Sequence, residues 1–312
     1  MSEAVFAARD VHFAYGAEPV LQGIDISVAG GEIVGLVGAD GAGKTTLMQI
    51  AVGQLEADSG TVTLLGKIPS DPQLRDDIAY MPQGFGLYQD LSVIENLHFF
   101  ADLHGLPRAT AQQRIRDLLT RTGLTGFEIR RAGQLSGGMM QKLALSCALL
   151  SEPRMMFLDE PTTGVDPVSR RAFWQLLDRV RAEGMSIMYA TANMDEAERC
   201  DRVAMLQDGR MQRHGTPAEL AAPGNMQLLV VSGKAVRDYR KRLRRLPAVQ
   251  LVFAVGPRLH VWLAADSDIH AFTDDVERLS AELHVEPAAP SLNDTALRDL
   301  AMREFSDDRH DA

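Results

Sequence analysis

Residues Ile33 to Val52 read IVGLVGADGAGKTTLMQIAV, and this stretch decides the fold. Ile33-Val34-Gly35-Leu36-Val37 is the pattern of a buried strand, and it runs straight into a loop rich in glycine. Lys44 to Val52 then reads as a helix. Strand, loop and helix in this order are the context that a phosphate-binding loop requires. Gly38, Gly41 and Gly43 let the backbone curl until several N–H groups point at one centre. Those amides and the helix N-terminus hold phosphate oxygens, and Asp40, Ala42 and Thr46 lie in the same nucleotide-contacting stretch. Lys44 is placed to reach the β- and γ-phosphates of a nucleoside triphosphate, and the Thr45 hydroxyl to help hold Mg²⁺.

Upstream, residues 4–15 and 20–34 alternate enough to suggest short strands joined by the turn Gly16-Ala17-Glu18-Pro19. GTVTLLG (60–66) reads as another strand of this first lobe. From Leu91 to about Thr122 the pattern is helical, with Pro107 as punctuation, and a helical subdomain is expected over about residues 84–135. Helix (137–150), strand (155–158), helix (167–183) and strands (186–191 and 202–207) complete an α/β core. Composition shifts near Pro223-Gly224, which divides the chain into 1–222 and 223–312. The second part reads strand (226–232), helix (235–246), strand (249–255), strand (258–264), helix (268–282) and a final helix from Ser291, a small α+β domain.

Two further motifs follow the phosphate loop. Leu135-Ser136-Gly137-Gly138-Met139-Met140-Gln141 opens a helix, and the hydroxyl and amides of Ser136, Gly137 and Gly138 form a second anion site. Met155-Met156-Phe157-Leu158-Asp159-Glu160 is an apolar strand ending in two acids, which a strand would project rigidly at the sheet edge beside the phosphate loop. An apolar strand ending Asp-Glu is common by itself. Followed by Pro161-Thr162-Thr163-Gly164-Val165-Asp166, it is specific.

Phosphate loop, LSGG and acidic strand, in that order, resemble the ATP-binding subunit of an ABC (ATP-binding cassette) transporter. The resemblance covers Val5 to about Leu220 and implies a P-loop NTPase fold with a RecA-like core, an antiparallel β lobe and a helical subdomain. It implies ATP and Mg²⁺ as cofactors. It makes Asp159 the acid that binds Mg²⁺ through water, Glu160 the acid that polarises the attacking water, and Asp166 part of a loop communicating between paired subunits. Gln83, in Tyr80-Met81-Pro82-Gln83, matches the glutamine that senses Mg²⁺ and the γ-phosphate. Tyr15 matches the aromatic that stacks on adenine, a contact worth ~1–3 kcal/mol by analogy with base stacking. Ser136, Gly137 and Gly138 would contact ATP held by the opposite subunit. Phe85, Leu87, Tyr88 and Leu91 would either line a groove for a permease helix or fill the subdomain core.

Several positions depart from the family pattern. Met139 and Met140 replace the polar residues often found after LSGG. Asp40 stands where asparagine is usual. Thr191-Ala192-Asn193-Met194-Asp195-Glu196-Ala197 places Ala192 where a histidine normally donates to the γ-phosphate. Such a donor is worth ~3–4 kcal/mol in a transition state, so hydrolysis at this chain's own loop is weakened unless Asn193 partly substitutes. YMPQGFGLYQDLSVIENL and the missing histidine are similar to the first half of tandem two-cassette efflux ATPases, and PSLNDTALRDLAMRE to the tail of drug-exporter ATPases.

The resemblance implies an ATP-hydrolysing subunit that energises an ABC-2 type permease, works with a second cassette, and sits peripherally on the cytoplasmic face of the membrane. Rival readings are a regulatory cassette that completes a partner's site, and a soluble non-transport ATPase. The 46% hydrophobic content fits a soluble globular chain, and no apolar run approaches the roughly 20 residues that cross a bilayer. MSEAVFAARD lacks a basic region followed by an apolar core, so no secretory signal is expected. Cys147 and Cys200 are too few for a disulfide framework or zinc site. The net charge of −10 argues against general nucleic-acid binding. The basic run Arg237 to Arg245 reads first as a solvated face, with contact to anionic lipid or a permease loop as its alternative.

Overall fold

The computed structural model describes residues 4–307. The chain divides into two compact units, the first ending at Gly215 and the second beginning at Thr216. In chain order the first unit begins with β1 (Ala4–Tyr15), β2 (Glu18–Ala29), β3 (Ile33–Val37), α1 (Lys44–Ala51), β4 (Ser59–Leu64) and β5 (Ile78–Met81). Three helices follow, α2 (Val93–Leu103), α3 (Arg108–Thr122) and α4 (Gly137–Leu149). The unit closes with β6 (Met155–Asp159), α5 (Pro167–Ala182), β7 (Ser186–Thr191), α6 (Met194–Ala197), β8 (Arg202–Gln207) and β9 (Arg210–Gly215).

The central sheet has the order β5-β6-β7-β3-β8-β9, parallel except for β9. Its inner strands are buried at every position, as Ile33–Val37, Met155–Asp159 and Ser186–Thr191 show. Parallel strands covered on both faces must be apolar throughout, which is why these read as runs rather than alternations. Five carboxyl ends therefore open at one edge, and four of them lead into the site: β3 into the phosphate loop, β7 into Ala192, β6 into Glu160 and β5 into Gln83. A second, antiparallel sheet, β2-β1-β4, shares the core through Phe6, which meets Phe157 edge-on at 5.5 Å. Ser92 caps α2 in a reciprocal box with Glu95, and Pro107 precedes α3.

Local structure departs from expectation where the pattern is short or charged. The long second strand breaks at Gly30-Gly31, where Gly31 takes φ 70° and the Glu32 carboxylate accepts the Ala29 N–H at 2.7 Å. β5 has only four residues, wedged between acids and Pro82, and β9 is mostly polar with Met211 packed on the core, so neither carries a recognisable apolar period.

The second unit contains α7 (Pro217–Leu220), β10 (Met226–Gly233), a 3₁₀ turn (Val236–Tyr239) leading into α8 (Arg240–Leu243), β11 (Val249–Val255) and β12 (Arg258–Ala264). It ends with α9 (Ile269–Leu279), β13 (Leu283–Ala288) and α10 (Leu292–Asp307). Its antiparallel sheet, β11-β12-β10-β13, has the split β-α-β order. The expected helix over 235–246 is tighter and shorter than anticipated. Ala235 enters it at φ 52°, and neighbouring cations three and four apart repel along a regular helix. β13 was not anticipated; its charged, proline-containing text, LHVEPA, masks the alternation of Leu283 and Val285.

Candidate functional site

The phosphate loop owes its path to its glycines. Gly43 has φ 105°, and a Cβ there would fall 2.8 Å from Leu21 Cδ2 and 3.1 Å from the Val20 carbonyl. A Cβ on Gly38 would collide with the Leu206 carbonyl. Gly43 caps α1 without any side-chain hydrogen bond, which leaves the first amides of the helix to an anionic ligand.

Lys44 is buried and folds back over this loop. Its Nζ donates to the carbonyls of Gly38 (2.9 Å) and Ala39 (3.0 Å) and pairs with Glu160 Oε1 at 3.0 Å. Asp40 lies 4.0 Å from the same nitrogen but is almost fully exposed, so solvent screens it. Glu160 Oε2 accepts from Gln83 Nε2 at 3.4 Å and from the Thr163 hydroxyl at 3.2 Å. The Glu160 backbone sits at φ 48°, uncommon for a residue with a side chain, and its N–H is fixed by the Ala190 carbonyl at 3.0 Å. Phosphate loop, acidic strand end and Gln83 thus meet in one cluster.

Asp159 lies beneath it, essentially buried. Its Oδ2 accepts from Tyr80 OH at 3.4 Å, while its Oδ1 is buried with no hydrogen-bond partner. Burial pushes the Asp159 carboxyl above the usual range. The Glu160 charge adds to this, and Thr45, Tyr80 and Lys44 oppose it. A raised folded-state pKa favours the protonated form, so that contribution to stability is present at low pH and is lost as pH rises through the folded value. Asp159→Asn should therefore raise the unfolding midpoint of the nucleotide-free chain by a few degrees near neutrality. The gain should vanish near the ordinary aspartate range, as thermal melts across pH would show.

Other candidate residues make no side-chain hydrogen bond to this cluster among the described contacts. Ser136 caps α4, accepting the Met139 N–H at 3.3 Å, and a Cβ on Gly137 would lie 3.8 Å from the Gly164 carbonyl in the loop after Glu160. A Cβ on Gly138 would overlap Ser169 in the first turn of α5, and Gln141 Nε2 donates to the Pro161 carbonyl at 2.8 Å. Tyr15 is half-exposed and meets Phe13 edge-on at 4.9 Å, leaving ring surface open to solvent. Ala192 is exposed just past the point where the Gly38 N–H bonds the Thr191 carbonyl at 3.3 Å. Asn193 Oδ1 is occupied as the cap of α6, accepting from Asp195 N–H at 2.9 Å.

Sequence reasoning missed Thr163, Tyr80's bond to Asp159, and Glu196. The last is a buried acid that accepts from the hydroxyls of Thr162 and Thr191 (2.7 Å) and lies 3.5 Å from Arg170 Nε. It ties the loop carrying Ala192 to the segment after Glu160. A buried carboxylate of this kind gives no signal in a polar stretch such as NMDEAE.

A family model described as ABC transporter matches residues 21–163. The chain is 33% identical over 302 residues to the Nod factor export ATP-binding protein I of Rhizobium sp. (strain N33), covering 96% of this chain and 97% of that protein. It belongs to the ABC transporter ATP-binding proteins. This cassette is also 38% identical over 283 residues to the probable multidrug ABC transporter ATP-binding protein YbhF of Escherichia coli (strain K12), covering 89% of this chain. It spans about half, 48%, of YbhF's length. Among solved structures, the cassette resembles an ATP-binding subunit of an ABC transporter at 32% identity and TM-score 0.63, over 69% of this chain and 91% of that one. It also resembles cbiO1 from Clostridium perfringens, part of the cbiONQ complex, at 27% identity and TM-score 0.65, over 79% of this chain and 97% of that one. The fold is that of a P-loop NTPase ABC domain, which implies nucleotide binding.

Proposed function

We propose that this chain binds and hydrolyses ATP to power an ABC-type exporter, as one of two cassettes on ABC-2 type permease subunits at the inner face of the cell membrane. The observation that carries the reading is the meeting of Lys44, Glu160 and Gln83 at the mouth of the phosphate loop. The names of the relatives, multidrug and Nod factor exporters, favour export over a soluble role.

On this reading, triphosphate takes the free amides of the loop and draws Lys44 from the Gly38 and Ala39 carbonyls. Glu160 then orients and deprotonates water, and Gln83 relays the state of Glu160 to the helical region that follows it. Asp159, Thr45 and Gln83 are the residues that would hold Mg²⁺, and the unpartnered Asp159 Oδ1 is a donor suited to a hard cation. That ion supplies charge neutralisation at the phosphates. Ser136, Gly137 and Gly138 offer an anion site to a partner's ATP, and nucleic acid plays no part. Tyr88, exposed and packed at 4.5 Å on Phe99, belongs to the surface offered to a permease.

A second reading, slow turnover at this chain's own site, is favoured by Ala192, whose methyl group cannot donate to phosphate. Both hold together in an unequal pair of cassettes. Detergent extraction of membranes should recover the chain with a multi-spanning membrane protein; recovery with ribosomes alone would refute the transport role.

A further inference from the structure

The second unit separates its charges across one helical layer. Val236, Tyr239, Leu243 and Leu246 turn inward at helical spacing, as do Ile269, Phe272, Val276 and Leu279, and all eight join the same core cluster. α8 packs on β11 and α9 on β13, the two edges of the sheet. The outward positions beside the first set are Arg237, Arg240, Lys241, Arg242, Arg244 and Arg245, all exposed, with Asp238 the acid among them. Beside the second set, Asp266, Asp268, Asp274, Glu277 and Glu282 are exposed, and Asp275 pairs with Arg278 at 3.0 Å. Among the described residues no carboxylate pairs with Arg240, Lys241, Arg242 or Arg245. One half of the layer is therefore strongly basic and the other acidic.

We infer that this helical layer docks a second copy of the chain. Two layers stack face to face about a two-fold axis parallel to the strands, so that the basic half of each lies on the acidic half of the other. Such a contact is self-complementary, as a two-fold interface requires. An axis across the strands would set like charges together, which costs free energy and selects the first arrangement. An anionic lipid or nucleic-acid surface would engage the basic half alone and leave the acidic half repelled. Tyr239 lies inward beneath Arg242, at 5.6 Å from ring centre to guanidinium carbon, so the basic half also lacks an exposed ring for stacking bases. The contact needs no nucleotide and so is separate from any ATP-bridged pairing of the first units.

The test is sedimentation of the full chain without nucleotide. The parent should self-associate at about 50 mM salt and weaken toward about 500 mM, where the screening length falls to a few ångströms. Arg240→Glu/Lys241→Glu/Arg245→Glu and Asp274→Lys/Glu277→Lys should each raise the dimer dissociation constant by about tenfold or more. An equimolar mixture of the two variants should recover the parent's association to within about threefold, because each basic half again meets an acidic one. The combined variant should do the same, and unchanged circular-dichroism melts establish that every variant folds. A monomeric parent, or a mixture that does not recover, overturns the inference. So does binding of the parent to phosphatidylglycerol vesicles that only the first variant abolishes. Each of these leaves the proposed ATPase role untouched, since no nucleotide is present.

Discussion

Glu160→Gln should slow ATP turnover by about 10²- to 10⁴-fold while leaving ATP binding intact or tighter. The amide has the shape of the carboxylate and can still meet Gln83 and the Thr163 hydroxyl. It cannot take a proton from water at neutral pH, so the step assigned to Glu160 is lost. The fold should not suffer, because Lys44 keeps its bonds to the Gly38 and Ala39 carbonyls when the 3.0 Å ion pair disappears. That same loss releases the lysine from a competing anion, and ATP phosphates gain a less encumbered cation. Single-turnover rates and equilibrium ATP binding, measured on one preparation, would separate the two effects. A variant that hydrolyses as fast as the parent would remove Glu160 from the chemistry. A variant that loses ATP binding would mean that its charge organises the loop instead.

Ala192→His should raise turnover at the chain's own loop by about 10²- to 10³-fold, the range seen when one transition-state donor is added or removed. Position 192 follows directly on Thr191, whose carbonyl holds the Gly38 N–H at the start of the phosphate loop. A side chain there is exposed, so an imidazole would need no repacking. Asn193 commits its oxygen to capping α6, so any donation from it to phosphate would have to come from its Nδ2. The loop is also well anchored, since Glu196 bonds the hydroxyls of Thr191 and Thr162. The measurement is steady-state ATPase activity in the presence and absence of Glu160→Gln. Unchanged activity in Ala192→His would show that the missing donor does not limit the rate, and the picture of an attenuated site would fall.

Chemistry of this kind is legible where backbone geometry demands particular residues. Gly38 and Gly43 are required by close approach to Leu206 and to Leu21 and Val20, so the phosphate loop announces itself in one line of text. Strands β3, β6 and β7 are equally plain, because burial on both faces leaves only apolar residues. β5 and β9 are not, since a four-residue or mostly polar strand is specified by the neighbours it pairs with rather than by its own pattern. For the same reason the bond from Tyr80 to Asp159 was invisible: its partners lie 79 positions apart and meet only because β5 and β6 are adjacent.

The order of phosphate loop, LSGG and acidic strand determined the family and the nucleotide, and Thr191 to Ala197 the absent histidine, because local backbone chemistry fixes each motif within a few residues. Tertiary structure alone decided that Lys44 spans Gly38 and Glu160, that Asp159 keeps one oxygen unpartnered, and that Glu196 braces the loop of Ala192. It alone set the basic and acidic halves of the second unit side by side. Those facts depend on which strands and helices become neighbours, and that is settled by packing over the whole core rather than by any stretch of sequence read alone.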